Sequence, residues 1–117
     1  MRRNIVKEKS FAFALDVVEA YKYLTSERRE FVLSKQFLRS GTAIGALIRE
    51  AEHAESKADF IHKLSISLKE ANETEYWVEL IYQSKYIDTE LYENLGGKIK
   101  ELNKLLISII KTSKKNR

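Results

Sequence analysis

Two histidines sit where this chain comes nearest to catalytic chemistry. His53 ends the run Glu50-Ala51-Glu52-His53, and His62 ends Asp59-Phe60-Ile61-His62. An acid three residues before a histidine puts carboxylate and imidazole on one turn of helix. Di-iron carboxylate bundles use that spacing twice, with two further carboxylates facing inward from other helices. Here both runs flank a single turn of the chain, so they read as surface histidines and not as a metal centre. Arg49 and His53 share a helix face at i, i+4. That spacing is short for a nucleolytic Arg–His pair, and no second basic or polar catalytic partner lies nearby. The four glycines fit neither of the phosphate-cradling loop patterns. With no cysteine, thiolate zinc sites, cysteine nucleophiles and disulfides are all excluded. The expectation is a protein with no catalytic residue, metal or cofactor, and so not an enzyme. Tyr76-Trp77 could stack nucleobases. Within a longer apolar stripe they read better as packing anchors of a subunit interface, where Trp and Tyr are favoured.

The elements that must position these residues read as helix nearly throughout. The 117 residues contain no proline and only four glycines, which argues against a turn-rich β fold. Apolar periodicity places helices at about 10–24, 28–54, 57–84 and 89–111, followed by a frayed basic tail, 112–117. Ser10 is the expected first cap. Thr25-Ser26 is the expected break and the next cap. Ser56-Lys57-Ala58-Asp59 resembles a capping box, and Asp88 or Thr89 caps the last helix. In the second helix Leu33, Phe37, Ser40, Gly41, Ile44, Ile48 and Ala51 form one stripe. Gly41 and Gly45 mark either a close approach by a neighbouring chain or a kink. Gly96-Gly97 is an expected kink or frayed turn. The third helix carries a main stripe of Phe60, Leu64, Leu68, Ala71, Val78 and Tyr82. A second stripe on its far side holds Ile66, Tyr76, Trp77 and Leu80. A helix apolar on two sides needs two partners, so the second stripe is the expected oligomer interface. Glu75 falls in the main stripe and calls for a cationic partner, either Arg39 or Arg49. One domain, an all-α antiparallel up-and-down four-helix bundle, follows. A three-helix reading stays open if the break at Ser56 is only a kink.

The net charge of +4 is unevenly spread. Residues 1–9 and 98–117 are strongly basic, while 10–97 hold ten basic and fifteen acidic side chains. Basic termini attract phosphate polyanions, or serve only as solvated, solubilising tails. The candidate nucleic-acid contacts are Arg2, Arg3, Lys111, Lys114, Lys115 and Arg117. Lys7, Glu8, Lys9 and Asp16 interrupt the apolar stretch after Arg2-Arg3, unlike a signal peptide. No apolar run approaches the ~20 residues of a membrane helix. A cytoplasmic protein without membrane contact is expected.

Residues 36–81 resemble a known family. Arg39-Ser40-Gly41-Thr42-Ala43-Ile44-Gly45-Ala46 followed by Arg49-Glu50-Ala51 looks like its second-helix signature. Ser56-Lys57, Asp59-Phe60-Ile61-His62-Lys63 and the stretch from Leu68 through Tyr76-Trp77 to Leu80 look like its third. The family comprises bacterial four-helix bundles related to the proteins encoded in intervening sequences of 23S ribosomal RNA genes. The accessory variability proteins of diversity-generating retroelements belong with them. One departure is Leu47, where many members carry asparagine. The resemblance implies a homo-oligomeric ring, typically a homopentamer, without catalytic residues. It also implies RNA or DNA as a partner and, in the retroelement members, a reverse transcriptase. Together the two lines predict a non-enzymatic oligomeric bundle that binds nucleic acid or scaffolds a nucleoprotein complex. The alternative is a protein–protein adaptor that binds no nucleic acid.

Overall fold

The computed structural model describes residues 4–116, and every regular element among them is a helix. These are α1 (Ile5–Ser26), α2 (Leu33–Ala51), α3 (Lys57–Gln83) and α4 (Thr89–Lys115). α1 packs on α2, α2 on α3, α3 on α4, and α4 closes back on α1. Ion pairs fix the directions. Lys7 near the start of α1 meets Glu52 just past the end of α2, 3.0 Å apart. Lys63 early in α3 meets Glu50 late in α2, also at 3.0 Å. Lys98 pairs with Asp16, and Lys9 lies 3.1 Å from Glu101. Successive helices therefore run antiparallel, and Ser56 marks a true turn, so the three-helix reading falls.

The helix ends differ from expectation in instructive ways. α1 starts five residues earlier than expected because Asn4, not Ser10, caps it, its side chain accepting from the Lys7 N–H at 3.1 Å. Ser10 is buried instead, and its hydroxyl donates to the Lys7 carbonyl. Thr25 and Ser26 neither break α1 nor cap α2. Both stay helical and donate to the carbonyls of Tyr21 and Lys22. The chain turns later, through Arg29 at φ 55°. Glu30 then folds its carboxylate onto the first N–H groups of α2, at 3.1 Å from Val32, 3.0 Å from Leu33 and 2.7 Å from Ser34. α2 therefore begins at Leu33 rather than Arg28, and it ends at Ala51 rather than Ala54. Burial pushes the Glu30 carboxyl up, but the N–H groups of Leu33, Ser34 and Val32 outweigh it and hold the carboxyl below its ordinary value.

Ser56 does cap α3, accepting from the Asp59 N–H at 3.0 Å, while the Asp59 carboxylate accepts from Glu55. Asp88, not Thr89, caps α4. At the end of the bundle that holds the α1–α2 and α3–α4 turns, Arg28 donates to the Lys85 and Tyr86 carbonyls, 3.0 Å each, and stacks on the Tyr86 ring.

α4 continues to Lys115, four residues past its expected end. Its buried face of Leu95, Ile99, Leu102, Leu106 and Ile110 extends to Ser113, so residues 112–115 continue the helix with Ser113 docked and the other three exposed. Gly96 and Gly97 lie inside that continuous helix. The buried face of α3 is Ile61, Leu64, Ser67, Ala71, Thr74, Val78 and Ile81. Phe60, Leu68 and Tyr82, expected on the main stripe, border it half-buried. The face is rotated because two hydroxyl residues, Ser67 and Thr74, face α2.

Gly41 and Gly45 are close-approach positions. A Cβ on Gly41 would fall 2.8 Å from Val17 Cγ2, and one on Gly45 would fall 3.2 Å from Ser10 Oγ. A Cβ on Gly96 or Gly97 meets nothing within 4 Å. Gly41→Ala therefore lowers thermal stability, because Val17 is β-branched and overpacking costs ~1–3 kcal/mol, more than the ~1 kcal/mol of helix propensity gained. Gly97→Ala raises stability by up to ~1 kcal/mol. Thermal melts of the two variants should shift in opposite directions. Glu30→Ala costs ~1–2 kcal/mol, as a lost cap does. Since the folded carboxyl lies below its unfolded value, its contribution is complete above pH ~4.3 and disappears as pH falls further. The gap between wild type and Glu30→Ala in urea titrations should therefore narrow on acidification.

Candidate functional site

The small residues of α2 serve packing on both sides. On the α1 side lie Gly41 and Gly45. On the α3 side the Ser67 hydroxyl donates to the Ile44 carbonyl at 2.9 Å, and the Thr74 hydroxyl donates to Ser40 Oγ at 2.9 Å. All three hydroxyl residues are fully buried. Above this seam Arg39 bridges Glu73 and Glu70, and Trp77 Nε1 donates to Glu73 at 3.0 Å. The hydrogen bonds that Trp77 and Arg39 donate hold the Glu73 carboxyl below its ordinary value, and donating to Glu73 holds the Arg39 guanidinium above its own. Glu50 takes Lys63. Leu47 is half-buried.

Glu75 does not meet either expected arginine. Arg39 is engaged with Glu70 and Glu73, and Arg49 lies over the Phe11 ring of α1, 5.0 Å from its centroid. Glu75 instead lines a groove between α3 and α4 with Glu79, Glu93 and the two open glycines. The half-buried Glu75 sits at the edge of the α3 core face, where water reaches it and burial asks for no cation.

The expected interface residues on α3 divide. Tyr76 is 59% exposed and meets the Trp77 ring edge-on. Trp77 and Leu80 are half-buried beside it. Ile66 lies ten residues earlier, ~15 Å along the helix, and does not join that group. On α1, Phe11 and Leu15 are 50% and 55% exposed. They form a second apolar patch that the sequence reading did not single out.

The basic surface is broader than a tail. Lys100, Lys104, Lys111 and Lys115 lie at i, i+4, i+11 and i+15, on one face of α4 spanning ~22 Å. Lys104, Lys111 and Lys115, with Ile107, Ser108 and Thr112 between them, shape a shallow trough of ≈ 580 Å³. All four lysines and Lys114 are exposed, and no carboxylate among the described residues pairs with them. Arg2, Arg3 and Arg117 lie outside the described residues. Their chain neighbours Asn4 and Asn116 sit at one end of the bundle, since α1 starts where α4 stops. Lys100 and Lys104 fall outside the six sequence candidates because the sequence reads residues 112–117 as a frayed basic tail; the spacing of four, seven and four residues along the row is the signal that places them on one helical face.

His53 and His62 are exposed on either side of the α2–α3 turn. No group of three or more potential metal ligands occurs among the described residues. No helix among them is long and apolar enough to cross a membrane. At the end of the bundle that holds the chain termini, an apolar cleft of ≈ 430 Å³ opens between Ile5, Ile48, Phe60, Leu64, Leu105 and Ile109, with Asn4 and Glu52 at its polar rim.

Comparison with known proteins gives two findings. A family model described as 23S rRNA-intervening sequence protein matches residues 2–108. The crystal structure of a protein of unknown function from the S23 ribosomal protein family of Bacteroides thetaiotaomicron superposes with a TM-score of 0.91. It is 62% identical, covering 92% of this chain and 96% of that one. No curated protein matches this chain.

The α2–α3 seam has a direct test. Ser67→Ala, which strips the bond to the Ile44 carbonyl, costs ~1 kcal/mol. Ser67→Leu costs more, since overpacking adds ~1–3 kcal/mol. Chemical denaturation of both variants should rank them in that order below wild type.

Proposed function

The chain belongs to the 23S rRNA-intervening sequence protein family, and from that premise we propose a non-enzymatic, homo-oligomeric bundle that binds RNA through the lysine face of α4. The observation that carries this reading is the row Lys104, Lys111 and Lys115, with which no carboxylate among the described residues forms an ion pair; Lys100 prolongs the row at the α3–α4 groove, beside Glu75, Glu79 and Glu93. The nearby acid Glu101 is already paired with Lys9, and Asp16 with Lys98. Lysine is a point charge on a flexible stem, suited to phosphate groups along a backbone rather than to one fixed fork geometry. The trough between the lysines holds two hydroxyls and one isoleucine but no aromatic ring. It therefore contacts backbone and does not stack bases, so affinity is largely independent of sequence. The family's tie to 23S ribosomal RNA favours RNA among polyanions. Self-assembly multiplies the stripe, and linked sites gain avidity without any new contact.

Fluorescence anisotropy with mixed-sequence RNA tests the reading. Binding at ~50 mM salt should fall steeply as salt rises, by ~0.7–0.9 log units per log unit of salt for each phosphate neutralised. The variant Lys104→Gln/Lys111→Gln/Lys115→Gln should flatten that slope by ~2–3 units while its melting curve stays near wild type. Substitution is cleaner than truncation at residue 112, which would remove the buried Ser113. No binding at low salt, or a slope the triple variant leaves unchanged, overturns the RNA reading and leaves the protein–protein adaptor.

A further inference from the structure

The two ends of the bundle are closed differently. At the end with the α1–α2 and α3–α4 turns, Leu24, Phe37, Ile81 and Ile87 pack until no volume for a water molecule is left between them. At the end with the chain termini the core opens into the cleft of ≈ 430 Å³. All four helices supply its wall: Ile5 from α1, Ile48 from α2, Leu64 from α3, and Leu105 with Ile109 from α4. Small-molecule sites span about 300–1,000 Å³ and are mostly apolar, with a few polar groups that fix orientation. Eight of the ten lining residues here are apolar, and the two polar ones, Asn4 and Glu52, meet at the rim. The lining shares no residue with the lysine trough of α4, so the two surfaces are separate.

The rim decides what can enter. Glu52 is the one charged side chain in the lining. Lys7 lies 3.0 Å from its Oε1 and donates to its Oε2 at 3.3 Å. That bond holds the Glu52 carboxyl below its ordinary value, so it stays ionised, with its charge matched. An anionic head group would face Glu52, and a cationic one would have to displace Lys7. A hydroxyl meets neither obstacle. It can donate to the carboxylate and accept an N–H from Asn4, whose amide already donates to Glu52 at 3.5 Å.

We propose that the cleft binds a neutral aliphatic alcohol, its chain between the four helices and its hydroxyl at Glu52 and Asn4. Removal of the apolar wall from water supplies the affinity, and the hydroxyl sets the orientation. The site goes beyond the RNA reading and does not depend on it.

The experiment is a methyl NMR titration of the full chain with octanol, octanoate and octylamine. Octanol should give saturable shifts at Ile5, Ile48, Leu64, Leu105 and Ile109, while Leu24, Ile81 and Ile87 at the closed end stay unmoved. Octanoate and octylamine should bind about tenfold more weakly, because each leaves a charge unmatched at the rim. Ile5→Trp, at a side chain 37% exposed, puts a larger group in the mouth. It should abolish the shifts of the other four residues with a thermal melt near wild type. Glu52→Gln reads the same site without changing its volume. It frees Lys7, so octanoate should then bind more tightly than octanol. Shifts that never saturate, that spread to the closed end or that persist in folded Ile5→Trp overturn the proposal. So does octanoate binding as tightly as octanol in wild type, or an order that Glu52→Gln leaves unchanged. A wild type unresponsive to octanol, whose cleft methyls show NOE contacts to other atoms of this chain or of a second copy, overturns it as well.

Discussion

The close approach of α2 to both its neighbours is the constraint on which the rest of this bundle depends. Gly41 and Gly45 let α1 settle so near that one added methyl would meet Val17 at 2.8 Å. On the opposite side Ser40, Ser67 and Thr74 replace bulk with hydroxyls that bond across or back into the helices. Two interior glycines weaken an isolated helix by ~1 kcal/mol each. That cost is borne because tight contact brings α1 and α3 onto α2, and α4 then closes the bundle against α1 and α3. The same spacing sets Arg39 within reach of Glu70 and Glu73. Much of the family signature is thus a record of helix contact rather than of chemistry.

The helix count, the antiparallel order and the glycine-rich seam were legible because each leaves a strong local trace. Periodicity of Phe37, Ile44 and Ile48 identifies the α2 core face, and Ser56 with Asp59 is a complete local capping unit. Other features were illegible for physical reasons. Glu30 caps α2 from ahead of the helix with a long side chain, acting outside the residue types that ordinarily cap. The true core face of α3 contains Ser67 and Thr74, so a hydrophobic wheel rotates it toward Phe60 and Tyr82. The extension of α4 depended on a buried Ser113, which in sequence looks like part of a polar tail. Ser67 and Thr74 are satisfied only across the α2–α3 seam, whereas Glu30 is satisfied locally, two to four residues on, by a residue type that seldom caps.

Charge became interpretable only through topology. Lys98 and Lys9, counted as basic ends, are spent on Asp16 and Glu101 at the α1–α4 seam. Lys7 and Lys63 are likewise committed to Glu52 and Glu50, and these bonds hold the Glu52 carboxyl below and the Lys63 amine above their ordinary values. On α4 what remains is its outer row, where Lys104, Lys111 and Lys115 have no such partner. The basic surface is an ordered helical face, so its charges arrive at fixed spacing and a bound polyanion orders less protein than it would on a loose tail.

The outer faces of α1 and α3 lie on one diagonal of the bundle and those of α2 and α4 on the other, since each helix contacts only its two neighbours. If the chain self-assembles as proposed, a closed ring would present every α4 lysine row with the same orientation to its axis. A single RNA would then engage several rows at once, and a backbone contact weak per subunit would become strong through effective concentration. Such a surface would need no pocket, no base-specific side chain and no catalytic group.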